Sequence, residues 1–461
     1  MSSSLFRIDD HVLPCQHIRG CVRSTAYDQE EVLHLAIKQY TPLDNLNPKP
    51  GDVTIIGGHA NGFPKELYEP LWDEILRRAK QAGFSIRGIW IADVSNQGAS
   101  GVLNEGKLGD EPSWLDHPRD LLHMVNHFRS QMPRPIIGLG HSMGGQNLVN
   151  LALIHQRLFE TLILIDPVIQ RFSSALGNYA PANASAFRRD RWPSRAAAAE
   201  AFKKNKFYQA WDARVLDRWI KYGLRDLPTL LYPSSSATPS IPYPATTTTE
   251  PTLTPTPPQA PEVTLTTTKH QEVFTFLRAS FPPLGLQQSS NLDPGMTPAI
   301  RAAFERERHP DITPTANPQS PFYRPEPIIT FHQLPQLRPS VLYVFGSLSP
   351  LSAPEFRADK LAMTGVGVGG SGGVKEGRVK EVVIEDAGHL IPMEKVEETA
   401  ENVIQWVGGE MDRWRKLEKL REEEWGGKEG IQRAVMGERY LEELTSSLPD
   451  FRKKKVPAEK L

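Results

Sequence analysis

Residues 135–145 read Pro-Ile-Ile-Gly-Leu-Gly-His-Ser-Met-Gly-Gly, and every other stretch of the chain can be placed relative to them. The apolar run Pro135 to Leu139 has the length and composition of a buried strand. Met143, Leu148, Leu151, Ala152 and His155 then recur at helical spacing and share one face. Between strand and helix lies Gly140-His141-Ser142-Met143-Gly144, a G-x-S-x-G pentapeptide. Ser142 therefore sits on a tight strand-to-helix turn. Gly140 and Gly144 suit such a turn because it has no room for Cβ atoms near the serine. The turn exposes the hydroxyl and aims a helix N-terminus at it, so the Met143 amide faces the place where an oxyanion would form. The competing reading is an ordinary Gly/Ser turn. The strand before, the helix after and the motifs on either side favour a nucleophile.

The chain on both sides repeats this alternation. Residues 5 to 41 read as a β-rich lead-in, with Leu33 to Tyr40 alternating like a half-buried strand. Val53 to Ile56 is a buried strand. Tyr68, Leu71, Trp72, Ile75 and Leu76 form the stripe of an amphipathic helix, and Ser85 to Ile91 is the next strand. Leu121, Met124, Val125 and Phe128 mark another helix, with Asp116 ahead of it as a helix-start residue. Thr161 to Ile165 is a strand ending at Asp166-Pro167. Strand and helix in strict alternation predict an α/β fold: a mostly parallel sheet with helices on both faces.

The next comparable strand, Val341 to Phe345, comes only after a long interval. Residues 1–167 and 340–408 are thus expected to form the core, with 168–339 inserted as a helical cap or lid. In that insertion Ser194 begins an alanine-rich helix, and Trp211, Val215, Leu216, Trp219 and Ile220 stripe a second. Residues 233–261, nearly all Ser, Thr, Pro and Ala, are expected to be disordered. Glycine-dense 364–377 is expected to be a mobile loop. Val379 to Ile384 is the last strand, Val396 to Val407 a closing helix, and 409–461 a charged, partly helical tail.

Composition excludes several classes. The net charge is −1 with acidic and basic residues balanced, so there is no electrostatic footprint for nucleic acid. No apolar run approaches the roughly twenty residues of a membrane span. Cys15 and Cys21 provide neither a disulfide framework nor a zinc spacing. The first thirty residues lack the apolar core of a secretory signal, so an intracellular protein is expected. His123 and His127 stand one helical turn apart, but no carboxylate completes a metal set; they read as exposed or capping residues, and neither a metal nor a cofactor is expected. The sequence is silent on oligomeric state.

Taken together, the pentapeptide and its flanks resemble the α/β-hydrolase superfamily over residues 33 to 407, apart from the low-complexity loop. More narrowly, five motifs resemble the fungal hydrolases of peroxisomal toxin biosynthesis, the AK- and AF-toxin type. These are His59-Ala60-Asn61-Gly62-Phe63, Trp114 to Asp120, Gly138 to Gly145, Ile165 to Val168, and Arg188 to Ser194. The resemblance implies a cofactor-free serine hydrolase of fungal secondary or lipid metabolism. It would cleave a carboxylic ester or thioester of a small-molecule acyl substrate through an acyl-enzyme. Alternatives are hydrolysis of a C–C bond with the same residues, and a non-catalytic ligand binder on the same fold. Members of this type often end in a peroxisomal tripeptide; here the chain ends Glu459-Lys460-Leu461, with glutamate in place of the small residue, so the cytoplasm and the peroxisome both stay open.

The resemblance also distributes roles. Ser142 is the nucleophile and His389, in the Asp-Ala-Gly-His run after the last strand, the base. The loop His59 to Pro64 supplies the second oxyanion amide, from Asn61 in the usual register or from Phe63 in a shifted one, beside that of Met143. The acid usually follows the strand equivalent to Val341–Phe345, but Gly346 to Ser352 contains no carboxylate. Asp166, at the end of the preceding strand, is therefore the expected acid; Glu355 and Asp359 are the alternatives.

Overall fold

The apolar runs of the sequence become the centre of one sheet. The computed structural model describes residues 2–172, 175–233, 260–279, 311 and 321–447. Eight strands form the main sheet: β1 (Phe6–Pro14), β2 (His34–Pro42), β3 (Val53–Gly58), β4 (Ile86–Ala92), β5 (Ile136–His141), β6 (Thr161–Ile165), β7 (Ser340–Gly346) and β8 (Val379–Ile384). Their order is β1-β2-β4-β3-β5-β6-β7-β8. The first two strands pair antiparallel, as does β2 with β4; from β4 to β8 every pairing is parallel. Strands β3, β5, β6 and β7 are buried along their whole length, which is why they read as unbroken apolar runs.

Helices cover both faces. The predicted stripe Leu71, Trp72, Ile75 and Leu76 is buried on the helix Glu69–Ala79. The helix Met143–Ile154 is buried nearly throughout, consistent with a segment running directly out of the central strand β5. Asp116 departs from its expected role. It is the first residue of the helix Asp116–His127 and makes no side-chain cap. Instead its carboxylate accepts from the Gly20 amide at 2.8 Å and pairs with Arg19 at 3.4 Å, so it fastens the N-terminal segment.

The insertion between β6 and β7 contains more than helices. Ser194 caps the helix Arg195–Lys204 by accepting from the Ala197 amide at 3.1 Å. The tryptophan stripe lies on the helix Ala213–Tyr222, and the helix Lys269–Phe276 follows later. A three-stranded antiparallel sheet orders Arg191–Trp192, Val263–Leu265 and Leu224–Asp226, and a two-stranded sheet pairs Arg278–Ala279 with Phe322–Tyr323. Within the expected disordered loop 233–261, residues 234–259 lie outside the described residues, as does the terminal tripeptide. The glycine-rich loop 364–377 differs from expectation, because its backbone is tied down. The Gly365, Gly367 and Ser371 amides donate to the carbonyls of Leu334, Pro335 and Leu337 at 2.9, 2.7 and 3.0 Å.

The chain divides by its contacts into residues 1–410 and 411–461. The second unit holds the end of the helix Val396–Glu424 and the helix Glu438–Ser447. Among the described residues no helix is long and apolar enough to cross a membrane.

Candidate active site

The site forms where β5, β6, β7 and β8 end. At the end of β5 the backbone of Ser142 is forced to a φ of +56°, a conformation L-residues seldom adopt. The turn needs glycine beside it. A Cβ on Gly144 would lie 2.2 Å from the Gly58 carbonyl, and one on Gly140 would lie 2.6 Å from the Gly144 oxygen. Strand β6 runs alongside in register, His141 opposite Ile165, and the Ser142 amide donates to the Ile165 carbonyl at 2.9 Å. The next residue, Asp166, turns off at a φ of +40° with its amide on the Val344 carbonyl of β7 at 2.8 Å. Ser142 and Asp166 thus leave adjacent strands at the same sheet edge.

His389 arrives from the loop after β8. That loop is clamped to the loop after β7, where the Leu348 amide donates to the Ala387 carbonyl at 2.9 Å and the Ser347 amide to that of Ile384 at 3.0 Å. Gly346 permits the approach, since a Cβ there would sit 2.2 Å from the Gly388 oxygen. The imidazole bridges the other two groups. Its Nδ1 lies 2.6 Å from Asp166 Oδ2 and its Nε2 lies 2.9 Å from Ser142 Oγ. With Nδ1–H donating to the fully buried carboxylate, Nε2 is left to accept from the serine hydroxyl. The two alternative acids are elsewhere engaged: Asp359 pairs with Arg171 and Glu355 is exposed.

The loop after β3 supplies amides. Three of them are occupied: Ala60 N–H donates to the Tyr68 hydroxyl at 2.9 Å, Gly62 N–H to Gln97 Oε1 at 2.8 Å, and Phe63 N–H to the Ala60 carbonyl at 3.2 Å. The Asn61 amide has no hydrogen-bond partner among the described residues, whereas that of Phe63 has one. His59 holds the loop from behind, accepting the Val94 amide at Nε2 (2.8 Å) and donating from Nδ1 to the Ala60 carbonyl (2.9 Å). Burial lowers its pKa and keeps it neutral.

The insertion reaches this same loop. Asn61 donates from its side chain to the Glu272 carbonyl at 3.0 Å and accepts from Gln97 at 2.7 Å. The Phe63 ring meets Trp211 and Trp219 edge-on at 5.6 and 6.0 Å. Gln97 lies in the loop 92–101, whose sequence resembles the D-x-x-G-x-G-x-S loop beneath hydrolase caps, but nothing in that motif singles out Gln97 itself as the partner of Asn61 and Gly62. Among the described residues no cluster of three or more His, Cys, Asp or Glu could hold a metal, and His123 and His127 are both exposed.

A sheet of this order, with a strained serine at a strand end and a histidine opposite it, defines an α/β-hydrolase. The chain belongs to the alpha/beta hydrolase family, whose model matches residues 56–402, and it is a hydrolytic enzyme. Over their whole lengths it is 41% identical to a type I acyl-CoA thioesterase, mpaH, of Penicillium roqueforti and 43% identical to mpaH' of Penicillium brevicompactum. It is 26% identical to the abhydrolase domain-containing protein AFT2-1 of Alternaria alternata, over 69% of this chain and all of that one. Among solved structures, the peroxisomal alpha-beta-hydrolase Lpx1 of Saccharomyces cerevisiae superposes with a TM-score of 0.61 at 14% identity, over 97% of this chain and 98% of that one, a likeness of fold.

Proposed function

We propose that this chain is a fungal serine thioesterase that hydrolyses small-molecule acyl-CoA thioesters. The observation that carries the reading is the single imidazole of His389 held between Ser142 and Asp166 at 2.9 and 2.6 Å. The choice of thioester over ester is supported by the full-length similarity to enzymes named as acyl-CoA thioesterases.

In this reading Ser142 Oγ attacks the thioester carbonyl while His389 Nε2 takes its proton. Asp166 holds the Nδ1–H tautomer and balances the imidazolium. The amides of Met143 and Asn61 receive the oxyanion. The thiol leaves with the proton from His389, and a water activated by the same nitrogen releases the acid from the acyl-serine. Residues 168–339 act as a lid on the acyl group. Their contacts with the loop at Asn61 and Phe63 support that role.

Thiol release from a ladder of acyl-CoA thioesters, followed alongside p-nitrophenyl esters, tests the reading. Wild-type protein should turn over thioesters and react with a fluorophosphonate; Ser142→Ala should do neither while keeping its melting temperature. Ester turnover with no thioester turnover would withdraw the thioesterase reading, and undiminished turnover by Ser142→Ala would withdraw the serine mechanism.

A further inference from the structure

We propose that Tyr68 and His141 form a positioning relay that sets the oxyanion loop and the His389 loop at a fixed separation on either side of Ser142. The inference rests on the triad reading above and adds two residues to it.

Both side chains are fully buried, so each polar atom needs a partner. The Tyr68 hydroxyl accepts the Ala60 amide at 2.9 Å and lies 2.9 Å from His141 Nδ1. His141 Nε2 in turn lies 2.9 Å from the carbonyl oxygen of His389. Proton placement along the chain has one solution. A carbonyl only accepts, so Nε2 carries the hydrogen. Burial foremost, aided by the nearby His389, holds the His141 pKa down at about 3, so the ring is neutral and Nδ1 is a bare acceptor. The phenol therefore donates to Nδ1. Burial also raises its own pKa and keeps it protonated.

The ends of this chain matter more than its middle. One end is the amide just before Asn61, the loop residue with an uncommitted N–H. The other is the backbone of His389 itself. Between them, His141 is covalently the neighbour of Ser142. The His389 loop has a second anchor on its other flank, where Glu394 accepts the Gly388 amide at 2.7 Å. The loop after β7 holds its other side at Ala387 and Ile384, so what the His141 contact adds is a fixed position for the backbone carbonyl of His389 itself. The neutral state of His141 has a further consequence. Its ring is 5.3 Å from that of His389, so a cation there would oppose the imidazolium formed on His389 during turnover.

The test compares Tyr68→Phe, His141→Leu and His141→Gln with wild type on butyryl-CoA and p-nitrophenyl butyrate. Glutamine can still present an N–H to the His389 carbonyl; leucine cannot. Tyr68→Phe and His141→Leu should lose about tenfold to a hundredfold in kcat, the size expected of a small misplacement of reacting groups, with KM within about threefold. His141→Gln should recover most of the loss. Tyr68→Phe is nearly isosteric and keeps the test valid if His141→Leu does not fold. Unchanged kcat in Tyr68→Phe, a loss confined to KM, or no recovery in His141→Gln would each overturn the relay. If wild type itself neither turns over substrate nor takes up a fluorophosphonate, the hydrolytic reading falls and the relay with it; an active wild type with unaffected variants removes the relay alone.

Discussion

The hydroxyl of Ser349 donates to the same oxygen of Asp166 that accepts the Nδ1–H of His389. Ser349 lies in the loop after β7, the place from which the fold ordinarily draws its acid. Here that place holds a hydrogen-bond donor, and the carboxylate that faces His389 stands on the neighbouring strand. Because the donor steadies the charged form of a buried carboxylate, Ser349→Ala should weaken the site without dismantling it. A hydrogen bond to a charged group contributes about 1.5–3 kcal/mol, so kcat/KM should fall by roughly ten- to a hundredfold. Steady-state kinetics on a short acyl ester measures this; a wild-type value would show that the hydroxyl is dispensable.

The acid assignment is tested by three neutral substitutions. Asp166→Asn leaves the geometry but offers His389 the wrong partner, so kcat should drop on the order of a hundredfold or more. Glu355→Gln and Asp359→Asn should stay near wild type. The pairing of Asp359 with the half-exposed Arg171 is of a kind that adds little to stability. A deep loss in either of these two, with Asp166→Asn active, would move the acid to the helix Pro354–Met363.

Gly62 joins the loop after β3 to the insertion. It has a φ of +82°, and a Cβ there would lie 2.7 Å from the Glu272 carboxyl carbon. Glu272 has little freedom to retreat, since its carboxylate accepts from Ser185 at 2.7 Å and pairs with Arg188. Gly62→Ala should therefore cost about 2 kcal/mol or more from backbone strain plus displacement of that carboxylate. The expected outcome is a lowered melting temperature together with reduced kcat. A variant as stable and active as wild type would mean the loop and the helix Lys269–Phe276 adjust freely.

Lys360 makes stability depend on pH. Burial pushes its pKa down to about 8 from 10.5, against the opposing pull of Asp166 and Asp359. The folded pKa is the lower one, so between about pH 8 and 10.5 the unfolded chain binds more protons than the folded chain. Stability from this group accordingly rises with pH across that window, by about 3 kcal/mol in all. Lys360→Met should be the more stable protein near neutral pH and should lose its advantage as wild type gains with rising pH. Urea midpoints for both proteins at about pH 7 and about pH 10.5 check it; parallel pH dependences would mean the ammonium is solvated.

Much of the fold was legible because its signals are local. Thr161 to Ile165 and Val379 to Ile384 coincide with β6 and β8 residue for residue. A fully buried parallel strand such as β6 reads as a nearly unbroken apolar run, β8 carries Lys380 and Glu381 but is bounded by a glycine-rich loop, and the turn at Ser142 must have glycine where backbones touch. Where the sequence misled, a polar or flexible residue had found a distant partner. Asp116 holds Gly20 rather than capping its own helix, and the glycines of 364–377 hydrogen-bond to residues 334–337.

The sequence by itself determined the alternation of strands and helices, the place of the insertion, and the three residues Ser142, Asp166 and His389 as candidates. Only the tertiary structure decided that they meet, since the Asp166–His389 contact spans 223 residues and depends on β6 lying between β5 and β7. It also decided what surrounds them. Tyr68 reads in sequence as the first member of an apolar helical stripe, and His141 as the variable letter of a five-residue motif. Their hydrogen bonds exist because folding excludes water from both at once, and a buried polar atom takes its partner from whatever the packing brings within reach.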